Sequence, residues 1–245
     1  MKENIRIWIY SAMILGVFLM LTSNCKKGDD SNGVVNDPTP SATVTDIVSN
    51  VYHSVKIGTQ TWMVENLKTS KYRNGDQIPN VTDATAWAAL NTGAYCWYDN
   101  DAVTNKATYG ALYNWYAVDD SRNIAPTGWH VPTDAEWTTL TTYLGGKSVA
   151  GGKLKETRTT HWLSPNTGAT NEVGFTALPG GMRNNELGFK FVDIGKNGYW
   201  WSSSKFVNDF NNGADLFIFF DGSYVEPGGS LRNQGYSVRC VKDSW

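Results

Sequence analysis

Apolar positions, many of them aromatic or β-branched, are interspersed with polar ones over "YHSVKI" and run together over "TWMV", on either side of Gly58-Thr59. Two such short runs flanking a glycine turn predict a hairpin of strands Tyr52–Ile57 and Thr61–Val64, so order is expected from about Asn50 onward. "TSKYRNGDQIPNV" has no period and reads as a loop with its turn at Asn74-Gly75. "DATAWAALN" predicts a short helix capped by Asp83, and "GAYCWYDND" a strand running into a polar loop. In "YGALYNWYAV", Tyr109 to Val118, Leu112, Tyr113 and Tyr116 share one helical face and predict a first main helix. Trp137, Leu140 and Leu144 form the stripe of a second, which Gly145-Gly146 should end.

The second half is cut into short strands. "EVGFTALPGGMR" and "GYWWSSSK" each contain one. "ADLFIFFDGSYVEP" predicts a hairpin over a type I′ turn at Asp221-Gly222. "GYSVRCVKD" predicts a last strand with Val238 and Cys240 on one face and Ser237 and Arg239 on the other. These patterns suggest short strands and tight turns, not a long-helix bundle.

The N-terminus breaks these patterns. Lys2 and Arg6 precede an apolar run, Ile7 to Leu21, too short for a comfortable membrane span, and "LTSNC" follows. A leucine four places before a cysteine resembles the lipobox of bacterial lipoproteins. That likeness implies cleavage after residue 24 and lipid on Cys25, several acyl chains making a stable membrane anchor. Residues 25–49 are polar and hold Pro and Gly, and read as a disordered tether reaching about 25–30 Å. "KKGDD" after the cysteine resembles export tags that place lipoproteins on the outer face of the outer membrane. The expected layout is signal peptide 1–24, lipidated tether 25–49 and domain 50–245.

Composition narrows the function. The chain has 245 residues and a formal charge of -2. With a pI near 5.9 it lacks the basic footprint of a nucleic-acid binder. Its 11 Trp, 12 Tyr and 24 Gly suit tight turns packed around large rings. Beyond Cys25 stand Cys96 and Cys240, and an exported chain meets an oxidising compartment. A Cys96–Cys240 disulfide is expected, with two separate buried thiols as the alternative.

The densest group of chemical side chains is "GWHVPTDAEW", with His130, Asp134 and Glu136. "TDAE" fits a capping box in which Thr133 and Glu136 satisfy each other's backbone N–H, and Asp134 suits the helix dipole. Both carboxylates then serve the start of a helix, and His130 has no second histidine at metal-ligand spacing. "EPG" at Glu226 echoes the calcium tripeptide of lectins without its amide residue, and "DND" at Asp99–Asp101 misses the EF-hand spacing. No metal and no cofactor are expected.

Taken together, "TWMVENLKTSKYRNGDQIP", "GALYNWYAV", "PTGWHVPTDAEW", "GFTALPGG", "YWWSSS" and "GYSVRCVKD" resemble the Fibrobacter succinogenes major paralogous domain over roughly residues 50–243. Members of that family are mostly surface or secreted proteins of undetermined function. More distantly, "VPTDAEW" and "GYSVRC" are similar to segments of the formylglycine-generating enzymes, and the resemblance implies a C-type-lectin-like α+β domain with two main helices, short antiparallel strands and much irregular loop. Those enzymes hold copper with two closely spaced cysteines, and no such pair occurs here. Catalysis is therefore not expected. A non-catalytic binding domain for a glycan or another surface protein is expected, with Trp200, Trp201, Asn208, Asp209, Asn211, Asn212 and Asp215 as candidate ligand contacts. A structural or adhesive module without a pocket is the alternative.

Overall fold

The computed structural model describes residues 42–244. The expected signal peptide, Cys25 and the expected tether as far as residue 41 lie outside the described residues. Strand β1 (Ala42–Thr45) already pairs with β2 (Val51–Ile57), so order begins by Ala42 and not near Asn50. One carboxylate builds the turn between them. Asp46 accepts from the backbone N–H of Val48 and Asn50, from Asn50 Nδ2 and from Tyr52 Oη, at 2.7–3.0 Å. No hydrophobic period announces such a knot. β3 (Gln60–Met63) then closes the expected hairpin, with Ile57 opposite Gln60 and Gly58 at φ 59°.

Asp83 caps α1 (Ala84–Ala88) as expected, accepting from Ala86 N. After β4 (Tyr95–Cys96), Asp101 caps α2 (Ala102–Tyr109), a helix in what reads as a polar loop. The single helix expected over Tyr109–Val118 is divided. Gly110, at φ 76°, ends α2, β5 (Leu112–Tyr113) follows, and Asn114 caps the short α3 (Trp115–Val118). The physical reason is tertiary. Tyr113 exchanges backbone hydrogen bonds with Tyr236, far along the chain, which no helical residue could do.

β6 (Trp129–His130) leads into α4 (Asp134–Tyr143), the predicted second helix, ended by Gly145 and Gly146, both at φ 98°. A further helix, α5 (Lys147–Leu154), follows. β7 (Gly180–Asn184) and β8 (Lys190–Ile194) form a two-stranded ribbon. β9 (Asn197–Lys205), β10 (Asn212–Phe219) and β11 (Val225–Leu231) form an antiparallel sheet. β12 (Val241–Lys242) enters a five-stranded sheet of order β1-β2-β3-β12-β6. The architecture is mixed helix and sheet, with several antiparallel sheets.

Two expectations about the C-terminal half fail for physical reasons. Ile218 pairs with Val225, so the connection runs from Phe219 to Tyr224, and Gly222 lacks the positive φ that a type I′ turn requires. The loop wraps a buried ammonium instead. Lys155 Nζ donates to the carbonyls of Thr167, Phe219 and Gly222 at 2.9–3.0 Å. "GYSVRCVKD" does not alternate between core and solvent, because Tyr236 to Val241 are all buried. The segment runs between layers, and Arg239 survives there by donating to Asn66 Oδ1 and the Phe175 carbonyl.

Trp200 and Trp201 are both fully buried, so neither offers a ring to a ligand. They point to opposite sides of β9. Trp201 enters a core with Tyr113, Trp115 and Tyr236, and Trp200 one with Trp62, Trp137 and Leu216. The expected Cys96–Cys240 disulfide is absent, and both cysteines are buried free thiols. Cys96 packs with Trp87, Tyr98 and Leu112, whereas Cys240 packs with Tyr52, Met63 and Val238 in a different cluster.

Candidate functional site

The start of α4 is built as its sequence implies. Thr133 Oγ1 accepts from Glu136 N at 3.2 Å, and Glu136 Oε2 accepts from Thr133 N at 2.8 Å. What the local pattern does not reveal is the second use of Glu136. Its Oε1 lies 2.8 Å from His130 Nε2, while His130 Nδ1 lies 2.6 Å from Asp243 Oδ1. The hydrogen bond to Glu136, joined by that to Asp243, holds the imidazolium above the usual histidine range in spite of partial burial. Burial pushes the Glu136 carboxyl up, but His130 and Thr133 together bring it below its ordinary value. With both ring nitrogens taken by carboxylates, His130 has no lone pair for a metal or a substrate proton. The group is a latch between the last strand and the first turn of α4. The other histidines are also paired, His53 with Glu65 and His161 with Glu156.

The candidate contacts on the β9–β10 connection do not converge with the tryptophans. Asn208, Asp209 and Asn211 are exposed, and Asp209 Oδ1 is spent on Asn211 N inside the turn, at 2.9 Å. Asn212 begins β10, where its backbone carbonyl accepts from Phe206 N.

Asp215 is different. It sits in mid-strand opposite Trp201 on β9 and Gly228 on β11. Its side chain is 1% exposed, and neither carboxylate oxygen has a hydrogen-bond partner. Gly228 is needed there, since a Cβ would stand 2.5 Å from Asp215 Oδ1. Burial pushes the carboxyl up to about 7, and the nearby Ser230 hydroxyl and Gly228 backbone offset part of that rise without completing a hydrogen bond. Other buried charges are satisfied. Arg183 donates to the carbonyls of Val81, Thr82 and Phe189, and Lys155 and Arg239 are bonded as described. A buried carboxylate without a partner and raised toward neutrality makes Asp215 a candidate functional position.

Period two places Phe217 and Phe219 on the same face of β10 as Asp215. They border an open depression of about 360 Å³. Tyr199, Phe217 and Tyr236 pack together beneath it, with ring centroids 5.0 Å apart for Tyr199–Phe217 and 5.2 Å for the stacked Tyr199–Tyr236 pair. Asn184, Glu186, Glu226 and Ser230 supply its polar groups. Tyr236 Oη and Ser230 Oγ lie 2.9 Å apart in its lining, and Asp215 lies next to this pair without itself lining the depression. Of the seven predicted contacts, only Asp215 belongs to this constellation. The alternation of Asp215, Phe217 and Phe219 was a readable signal for part of it, whereas Tyr199, Tyr236 and the two glutamates arrive from separate segments.

No curated protein and no solved structure matches the chain. The family model described as the Fibrobacter succinogenes major domain matches residues 55–242, a span that contains His130, Glu136 and the lining of the depression and ends one residue before Asp243. The chain belongs to the Fibrobacter succinogenes major domain family.

Proposed function

We propose that the chain is a lipid-anchored surface protein whose domain is a non-catalytic binding module. Its ligand is a glycan or the surface of another protein, and its fold is of the C-type-lectin-like kind. Lys2, Arg6, the apolar run and "LTSNC" support an anchor at Cys25, and "KKGDD" supports the outer face of the outer membrane. The observation that carries the binding role is the depression above Asp215. Aromatic rings lie beside carboxylates, an amide and a hydroxyl there, the mixture that stacks on sugar C–H faces and takes up hydroxyls. The saturated histidine and the buried thiols argue against catalysis, since His130 has a carboxylate on each ring nitrogen and burial raises the thiol of Cys96 to about 12.

The exposed tip formed by Val207 and Phe210 favours a second reading, an adhesive contact made without a pocket. A glycan array probed with the full-length chain separates the two. A glycan ligand predicts discrete hits that Phe217→Ala abolishes and Phe210→Ala leaves intact, and a blank array would refute the glycan. The anchor is tested by Cys25→Ala, which should move the chain from the membrane fraction to the soluble one. Retention after a high-salt wash would mean a different anchor.

A further inference from the structure

The charge around the depression is one-sided. Glu186 and Glu226 line it, and neither makes an ion pair among the described residues. Tyr199 Oη donates to Asp193 Oδ2 at 2.7 Å, which sets a third carboxylate directly behind the aromatic floor. Asp215 is a fourth, behind Ser230 and Tyr236. No Lys, Arg or His lines the depression. Arg183 lies in the neighbouring strand β7 between Met182 and Asn184, but its guanidinium points away and is spent on the carbonyls of Val81 and Thr82. Glu186 and Glu226 in the lining, with Asp193 and Asp215 close by, give the depression a negative field, and the exposed Lys190 opposite Asn184 stands outside the lining.

An anion would be repelled there, and a neutral sugar would leave the charges uncompensated. An organic cation meets them, and its ammonium also gains from the half-buried rings of Phe217 and Phe219 in the lining. The breadth of the depression decides what carries the ammonium. A lone lysine side chain needs a narrow slot, whereas Asn184, Ser230 and Glu226 are spread around the rim where ring hydroxyls would meet them.

We propose that the depression between β7, β9, β10 and β11 recognises a glycan bearing a free protonated amine, held by Glu186 and Glu226 over the buried Asp215. This rests on the binding-module reading and specifies its ligand. The Ser230–Tyr236 hydroxyl pair lies between the ligand and Asp215 and can turn its donors toward either. In its free state Asp215 lacks a donor that a bound amine, through that pair, would supply.

The test is calorimetric titration of the full-length chain with three probes: a glucosamine tetramer, its N-acetylated counterpart and tetralysine. The glucosamine tetramer should bind at least tenfold more tightly than the N-acetylated one. That preference should shrink in high salt and be lost in Asp215→Asn and in Glu226→Gln. Because Asp215→Asn removes an unpaired buried charge, the variant should fold, and its thermal midpoint confirms this independently. Equal affinity for the two tetramers would overturn the amine assignment and leave the binding module standing. Tetralysine binding as tightly as the glucosamine tetramer would assign the cation to a protein partner and overturn the glycan. Silence from all three would overturn the amine assignment, while hits for neutral sugars on the glycan array would still uphold the binding role.

Discussion

At the scale of single residues, the informative feature is a cost. A carboxyl that ionises near 3.8 in the unfolded chain and near 7 in the folded one destabilises the fold as soon as the unfolded chain loses its proton. The unfolded state binds fewer protons over that interval, so stability falls as pH rises from about 4 and levels off above about 7. The full shift corresponds to on the order of 4 kcal/mol. Asp215→Asn should therefore be more stable than the parent at pH 8 and indistinguishable from it near pH 3, as read from urea midpoints. A parent that matches the variant at both pH values would mean that Asp215 has found a partner. Glu136 gives the opposite sign of argument. Glu136→Gln can still close the capping box, but it removes the charge that faces His130. A raised imidazolium contributes stability that is complete below its ordinary value of 6.5 and is lost as pH rises through the raised one, while Glu136 must stay ionised. The difference between parent and Glu136→Gln should thus peak between about pH 4.5 and 6.5 and shrink toward pH 9. A flat difference would remove the latch.

At the scale of elements, local signals succeed where the element is closed by its own neighbours. The Gly58 hairpin, α1 under Asp83 and α4 under Thr133 all need only residues within one turn of themselves. They fail where a distant group satisfies the backbone. The β10–β11 connection takes its shape from Lys155, whose three carbonyl partners come from two different loops. Lys155→Met preserves the stem but orphans those carbonyls, at roughly 1 kcal/mol each. It should lower stability by about 3 kcal/mol and speed hydrogen exchange from Phe219 to Tyr224 while β9 stays protected. Unchanged exchange there would mean that the loop holds itself. The helix expected over Tyr109–Val118 fails by the same logic, since the partner of Tyr113 is Tyr236.

For the whole molecule, stability comes from aromatic packing in separate clusters and not from a covalent tie. Both thiols are buried in different clusters, and burial raises both above the ordinary range. After denaturation without reductant, alkylation should modify Cys96 and Cys240 alike, and a reducing agent should leave the melting temperature unchanged. Protection of either thiol from alkylation would restore the bridge. The clusters meet along β9, where Trp200 and Trp201 face opposite sides. Adjacent tryptophans on a strand are a legible sign of a layer buried on both faces, and that excludes them from a ligand surface.

The sequence by itself determined the glycine turns at Gly58 and Gly145, the helix caps at Asp83 and Thr133 and, through motifs in a fixed order, the family and its mixed helix-and-sheet class. It also named Asp215 among its candidate contacts. Only the tertiary structure decided which polar side chains are free. Glu136 met His130 and Asp243, Lys155 met three carbonyls, and Asp215 met none. The reason is that a charged side chain is defined by its partners, and folding brings those partners from anywhere in the chain. The composition of a segment states what it can donate or accept, and the fold alone states what has already been taken.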